Sequence, residues 1–135
     1  MYLQTQLSND EILKKRSLEL AYIGDAVIEL LVREHLLLTT NSEHASLHTS
    51  ALKYVSAKAQ SVAFNNIVNE LTEQELSVYK RGRNTKCYTV PKNTQVSDYR
   101  RATGAEALFG YLFLSRENDR VNYLFRKMYE IENEK

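Results

Sequence analysis

Apolar residues recur at three- and four-residue spacing along most of the chain, the period of helices that bury one face. With 4 Gly and 1 Pro there are too few breakers for the many turns of an all-β domain, so the pattern predicts an all-α fold. Asp10 is placed as the cap of a short first helix. A main helix starts at Ser17 and runs through Leu20, Ile23, Val27, Leu30 and Leu31 to about Leu38, and Thr39 to Ser42 breaks it. A second long helix is expected from about Glu43 through Leu47, Leu52, Val55, Ala59 and Val62 to Ile67. Thr72 caps a shorter helix that carries Leu76 and Tyr79 and ends near Gly82. The stretch from Arg83 to Ser97 lacks helical periodicity and contains Pro91, so it is expected to be a long loop of the kind that often carries function. Asp98 begins the next helix, Arg116 to Asn118 turns the chain, and Val121, Leu124, Phe125, Met128 and Ile131 form the stripe of a last helix.

At 135 residues the chain is the size of one domain, expected to span 1–135. Lys+Arg 18 against Asp+Glu 17 leaves a net charge of +1, so any basic surface must come from local segregation. The single cysteine, Cys87, allows no internal disulfide and no cysteine-cluster zinc site, as suits a reducing compartment. No apolar stretch approaches the roughly 20 residues of a membrane span, and the N-terminus lacks the order of a signal peptide. The expectation is a cytoplasmic protein without membrane partners.

Two acids stand where acids are uncommon. Asp25 follows Gly24 in the apolar run Leu20-Ala21-Tyr22-Ile23-Gly24-Asp25-Ala26-Val27, and Glu106 sits in Ala105-Glu106-Ala107-Leu108-Phe109-Gly110. An ionised carboxylate in such a place needs a cation, a hydrogen-bond donor or a bound metal. Gly24 costs a helix roughly 1 kcal/mol relative to Ala, a cost that close approach of another helix or a substrate would offset. Spacing alone leaves two readings for each acid: a metal ligand, or a carboxylate in a structural ion pair. Glu29 is read as the partner of Arg33, four residues on. Oxygen ligands beside small residues suit Mg²⁺, which keeps several waters. His35, His44 and His48 make no convincing metal set.

Charge does segregate in one place. From Lys80 to Arg101 the only acid is Asp98, while Lys80, Arg81, Arg83, Lys86, Lys92, Arg100 and Arg101 are basic and Asn84 and Asn93 add donors. Such residues suit sugar-phosphate backbones without reading bases, although a solvated basic loop has the same composition.

Gly24-Asp25-Ala26-Val27 with its preceding apolar residues, and Glu106-Ala107-Leu108-Phe109-Gly110, resemble the two acidic helices of ribonuclease III catalytic domains. Tyr54 to Gln60, Lys80 to Asn84 and Val90 to Thr94 resemble the Mini-ribonuclease III branch of that family, whose members lack a separate double-stranded-RNA-binding domain. The resemblance implies a dimeric helical bundle of the ribonuclease III endonuclease type. It also implies metal-dependent hydrolysis of double-stranded RNA to 5′-phosphate and 3′-hydroxyl ends, in maturation of large-subunit ribosomal RNA precursor. Asp25 and Glu106 would be the catalytic and metal-holding residues, with Mg²⁺ or alternatively Mn²⁺. Lys58 and Gln60 join the basic and amide residues above as candidate RNA contacts. The larger enzymes carry two more acids, where this chain has Ala21 and Thr103. That departure keeps open a second class, a ribonuclease-III-like protein that binds structured RNA without cutting it.

Overall fold

The computed structural model describes residues 6–39, 44–86 and 89–132. Within them every regular element is helical: α1 (Asn9–Leu13), α2 (Ser17–Thr39), α3 (His44–Val55), α4 (Ala57–Phe64), a 3₁₀ turn (Val68–Glu70), α5 (Glu73–Arg83), α6 (Val96–Leu114) and α7 (Asn118–Met128). The all-α expectation holds.

α6 is the axis of the fold. From Ala102 to Leu112 every residue except Glu106 is buried, so this helix is enclosed on all sides, and α2, α4 and α5 pack along it. The core around it includes Ile28 and Val32 of α2, Phe64 of α4, Val78 of α5 and Leu124 of α7. Enclosure on that scale requires small residues where neighbours cross. All four glycines of the chain lie inside helices, none with positive φ. A Cβ on Gly24 would overlap the Glu106 carbonyl oxygen and stand 2.8 Å from the Gly110 nitrogen, and a Cβ on Gly110 would overlap the Leu20 carbonyl oxygen. Gly82 and Gly104 make the corresponding crossing of α5 with α6, where a Cβ on Gly82 would lie 3.0 Å from the Gly104 Cα.

Peripheral elements are tied by polar contacts. Glu75 is buried and accepts from Arg120 Nε at 2.9 Å and Nη2 at 2.8 Å, while its Oε1 also accepts from Thr72 N at 2.9 Å in the capping box of α5. α5 is thereby joined to α7. The Arg81 guanidinium donates to the Leu13 and Lys15 carbonyls at 3.1 and 2.8 Å, tying α5 to the connection between α1 and α2.

Several boundaries differ from the expected ones for identifiable reasons. α1 is capped by Ser8, which exchanges hydrogen bonds with Glu11, so Asp10 falls in the first turn. The expected helix from Glu43 to Ile67 is two helices: Ser56 is extended (ψ 153°), and its Oγ accepts from Ala59 N to start α4. Glu43 lies outside the described residues. α5 runs to Arg83, one residue beyond Gly82, and α6 begins at Val96, which puts Asp98 in its first turn. α6 and α7 each end in a Schellman motif, with Arg116 (φ 62°) and Glu130 (φ 55°) in the left-handed position. Glu117 N donates to the Leu112 carbonyl at 3.0 Å and Ile131 N to the Arg126 carbonyl at 2.9 Å. Ile131 therefore packs after the helix end instead of continuing the α7 stripe.

Replacing Gly24 with Ala must push α2 away from the α6 backbone, because the overlapping atom is a main-chain carbonyl that no rotamer can move. The expected loss is about 3 kcal/mol or more. Denaturant unfolding of Gly24→Ala checks this, and a variant as stable as the parent would show that the two helices are not in backbone contact.

Candidate active site

The α2–α6 crossing decides where the two unusual acids go. Gly24 touches the backbone at Glu106, and Asp25 is the next residue on α2, so the side chains of Asp25 and Glu106 come within hydrogen-bonding reach of each other. Asp25 is exposed and Glu106 half-buried, at the one break in the apolar enclosure of α6. No cation faces them in an ion pair among the described residues. The structural alternative does hold for Glu29, whose Oε1 lies 3.0 Å from Arg33 Nη2.

A third side chain reaches the pair from below. Gln60 of α4 is 1% exposed; its Nε2 donates to the Val55 carbonyl at 3.1 Å and its amide also reaches Glu106, while its Oε1 has no partner. The family resemblance puts Gln60 among the RNA contacts. Its burial excludes that role for the side chain and places it in the acidic site instead, a placement that the residue type alone does not signal. Beside Glu106 stands Tyr129, whose hydroxyl donates to the Tyr54 carbonyl at 2.8 Å and whose ring packs on Tyr54 and Phe125. Burial, then the nearby Glu106 charge, hold that phenol un-ionised.

Neither of the positions that carry further acids in the larger enzymes contributes an oxygen here. Ala21 is buried, and the Thr103 hydroxyl donates to the Tyr99 carbonyl at 3.0 Å. Among the described residues there is no group of three or more His, Cys, Asp and Glu side chains. The donor set is thus the two carboxylates of Asp25 and Glu106, both hard oxygen donors. It fits Mg²⁺ or Mn²⁺ rather than zinc, with waters and phosphate oxygens completing the shell.

The basic residues occupy several elements. Lys80, Arg81 and Arg83 lie on α5, Asn84 is its C-cap, and Lys86, Lys92 and Asn93 are on the following connection. Arg100 and Arg101 are exposed on α6, with Arg101 about 7.5 Å before Glu106 along the helix axis. Lys58 is exposed in the first turn of α4. Arg83 lies 5.6 Å from the Tyr79 ring centre, and Arg101 also acts on that tyrosine, so the two guanidiniums converge there. Arg81 differs from the rest in that its guanidinium already holds two backbone carbonyls. Cys87 lies outside the described residues, as does the His44 side chain.

Burial, and then the hydrogen bond and charge of Asp25, push Glu106 up to about 9, against the opposing pull of the Gln60 amide. Without a cation the folded protein therefore keeps a proton on Glu106 that the unfolded chain, titrating near the ordinary 4.5, gives up. The resulting stability is complete below about pH 4.5 and is lost as pH rises through about 9. In chelator, the melting temperature is expected to fall between pH 5 and 9, and Glu106→Gln should flatten that fall. An equal slope in the variant would assign the titration to another group.

Residues 18–117 match the Ribonuclease III domain family. The chain is 39% identical over 120 residues to the Mini-ribonuclease 3 of Staphylococcus aureus, covering 87% of this chain and 90% of that protein. It is 43% identical to the Mini-ribonuclease 3 of Enterococcus faecalis, covering 87% and 93%. A crystal structure of a Fusobacterium nucleatum protein superposes with a TM-score of 0.79 at 29% identity, over 89% of this chain and 96% of that one. With its matching fold and its paired acids at the α2–α6 crossing, the chain belongs to the ribonuclease III domain family, in the Mini-ribonuclease 3 group.

Proposed function

We propose that this protein is a Mg²⁺-dependent endoribonuclease that hydrolyses phosphodiester bonds in double-stranded RNA, leaving 5′-phosphate and 3′-hydroxyl ends. The observation that carries this is the contact of Asp25 with Glu106 at a glycine crossing, with no protein cation to neutralise them among the described residues. Two carboxylates forced together favour a divalent ion over a proton once one is available. Mg²⁺, when bound, supplies activation of water, polarisation of the scissile phosphate and stabilisation of the leaving oxygen. Asp25, being exposed, presents one carboxylate to the substrate side, and Glu106 contributes a second from the enclosed side after releasing its proton. No side chain of the chain needs to act as nucleophile.

Cutting both strands of a duplex requires two such sites in fixed relation, which a twofold homodimer provides. In support, Leu18, Tyr22, Leu30 and Leu37 are large apolar residues left exposed on α2, with Tyr22 84% exposed and three residues before Asp25. Lys58, Lys80, Arg83, Lys86, Lys92, Arg100 and Arg101, with Asn84 and Asn93, are the candidate phosphate and sugar contacts. An A-form duplex hides its major-groove edges, so recognition would rest on its backbone, its shape and its 2′-hydroxyls. The proposed natural substrate is a precursor of large-subunit ribosomal RNA, met in the cytoplasm. This assignment rests on the similarity to the Mini-ribonuclease 3 relatives.

Asp25→Asn removes one charge with little change of volume. It should abolish Mg²⁺-dependent cutting of an end-labelled RNA duplex while leaving duplex binding intact, as read on denaturing and native gels. Full cutting by the variant would remove Asp25 from the site, and an unmodified protein that binds the duplex without cutting it would make this a binding protein. Lys80→Ala combined with Lys92→Ala should weaken duplex binding and lower the slope of log affinity against log salt by about one for each phosphate that is no longer neutralised. An unchanged slope would place both lysines away from the RNA.

A further inference from the structure

Gln60 is an unfavourable residue for a buried position. Its side chain is 1% exposed and its Oε1 has no hydrogen-bond partner, so a buried acceptor is left without a donor. An apolar side chain of the same length would avoid that penalty, which mutational data place at about 1–3 kcal/mol. Its placement is nevertheless fixed tightly. Ser56 breaks the chain between α3 and α4, and the Val55 carbonyl at the end of α3 accepts from Gln60 Nε2 at 3.1 Å. One residue earlier, the Tyr54 carbonyl accepts from the Tyr129 hydroxyl at 2.8 Å, so the end of α3 is itself held by the segment following α7. The same amide also reaches the Glu106 carboxyl.

We propose that Gln60 is a positioning residue for the cation site: clamped on the Val55 carbonyl, its amide donates to Glu106 and holds that carboxylate turned toward Asp25. Outer-shell donors of this kind orient a ligating carboxylate, and their loss commonly weakens metal binding 10- to 100-fold. Gln60 touches neither substrate nor reacting atoms in this role. The inference rests on the proposal that Asp25 and Glu106 hold a divalent cation.

Mn²⁺ serves as the probe, its binding to the full chain followed by the electron paramagnetic resonance signal of the free ion, with thermal unfolding measured in parallel. Gln60→Met keeps length and packing and gives up the donor. Losing the bond to Val55 while removing the orphaned oxygen should leave the melting temperature close to that of the parent, while Mn²⁺ affinity falls about tenfold or more. Unchanged affinity would overturn the inference, and so would a loss of affinity accompanied by an equal loss in melting temperature, which marks a structural role only. Should Gln60→Met fail to fold, Gln60→Asn decides the matter: it keeps the amide but draws it back from Glu106, so weakened Mn²⁺ binding supports the inference and unchanged binding overturns it. The parent protein and Asp25→Asn separate the two levels. A parent that binds no Mn²⁺ overturns the cation site and this inference together, whereas Mn²⁺ binding that Asp25→Asn abolishes and the Gln60 variants retain overturns this inference alone.

Discussion

Backbone contact between α2 and α6 at Gly24 and Gly110 is the constraint on which the structure depends. Helices ordinarily meet through side chains, with axes roughly 8–10 Å apart. Here the main chains touch, because neither residue has a Cβ to separate them. Each helical glycine costs roughly 1 kcal/mol relative to Ala. The compensation is the enclosure of α6, on which the core residues of α2, α4 and α5 converge. Because the chain's four glycines are all used in this way, none is left for helix ends, and Arg116 and Glu130 take the left-handed positions that glycine would fill more easily.

The same contact creates the site's electrostatics. Backbone proximity at Glu106 brings its side chain within hydrogen-bonding reach of Asp25, and burial makes the shared negative charge costly. Around it the structure supplies neutral groups: the Gln60 amide, and a tyrosine hydroxyl that is already bonded to a backbone carbonyl. Both are bonded to the last carbonyls of α3, those of Val55 and Tyr54, which the interruption at Ser56 leaves free of the helix. An uninterrupted helix would have used those carbonyls internally. The break between α3 and α4 is therefore part of how the site is built.

Charge elsewhere in the molecule is divided between holding the fold and remaining available. Arg120 is committed to buried Glu75, and Arg81 to two carbonyls between the end of α1 and the start of α2. Lys80, Lys92, Arg100 and Arg101 are exposed. The near-zero net charge conceals this division as fully as it conceals the basic segment between Lys80 and Arg101.

Much of this was legible in the residues. Helical periodicity and scarce breakers determine the all-α class, the side-chain oxygen of Thr72 determines where α5 begins, and acids placed in apolar runs mark Asp25 and Glu106 whatever surrounds them. Those features are local, set by backbone geometry and solvation within a few residues. The Ser56 interruption was less legible, since the apolar spacing runs through it and only the capping bond to Ala59 reveals it. The role of Gln60 could not be read at all: an amide in a surface-like sequence context becomes an internal clamp only when α4 packs on α6. Likewise the sequence made Gly24 conspicuous, but only the tertiary structure decided that its neighbour is Glu106. Side chains 81 residues apart meet through helix crossing, and that geometry arises from the packing of the whole core, not from any local preference.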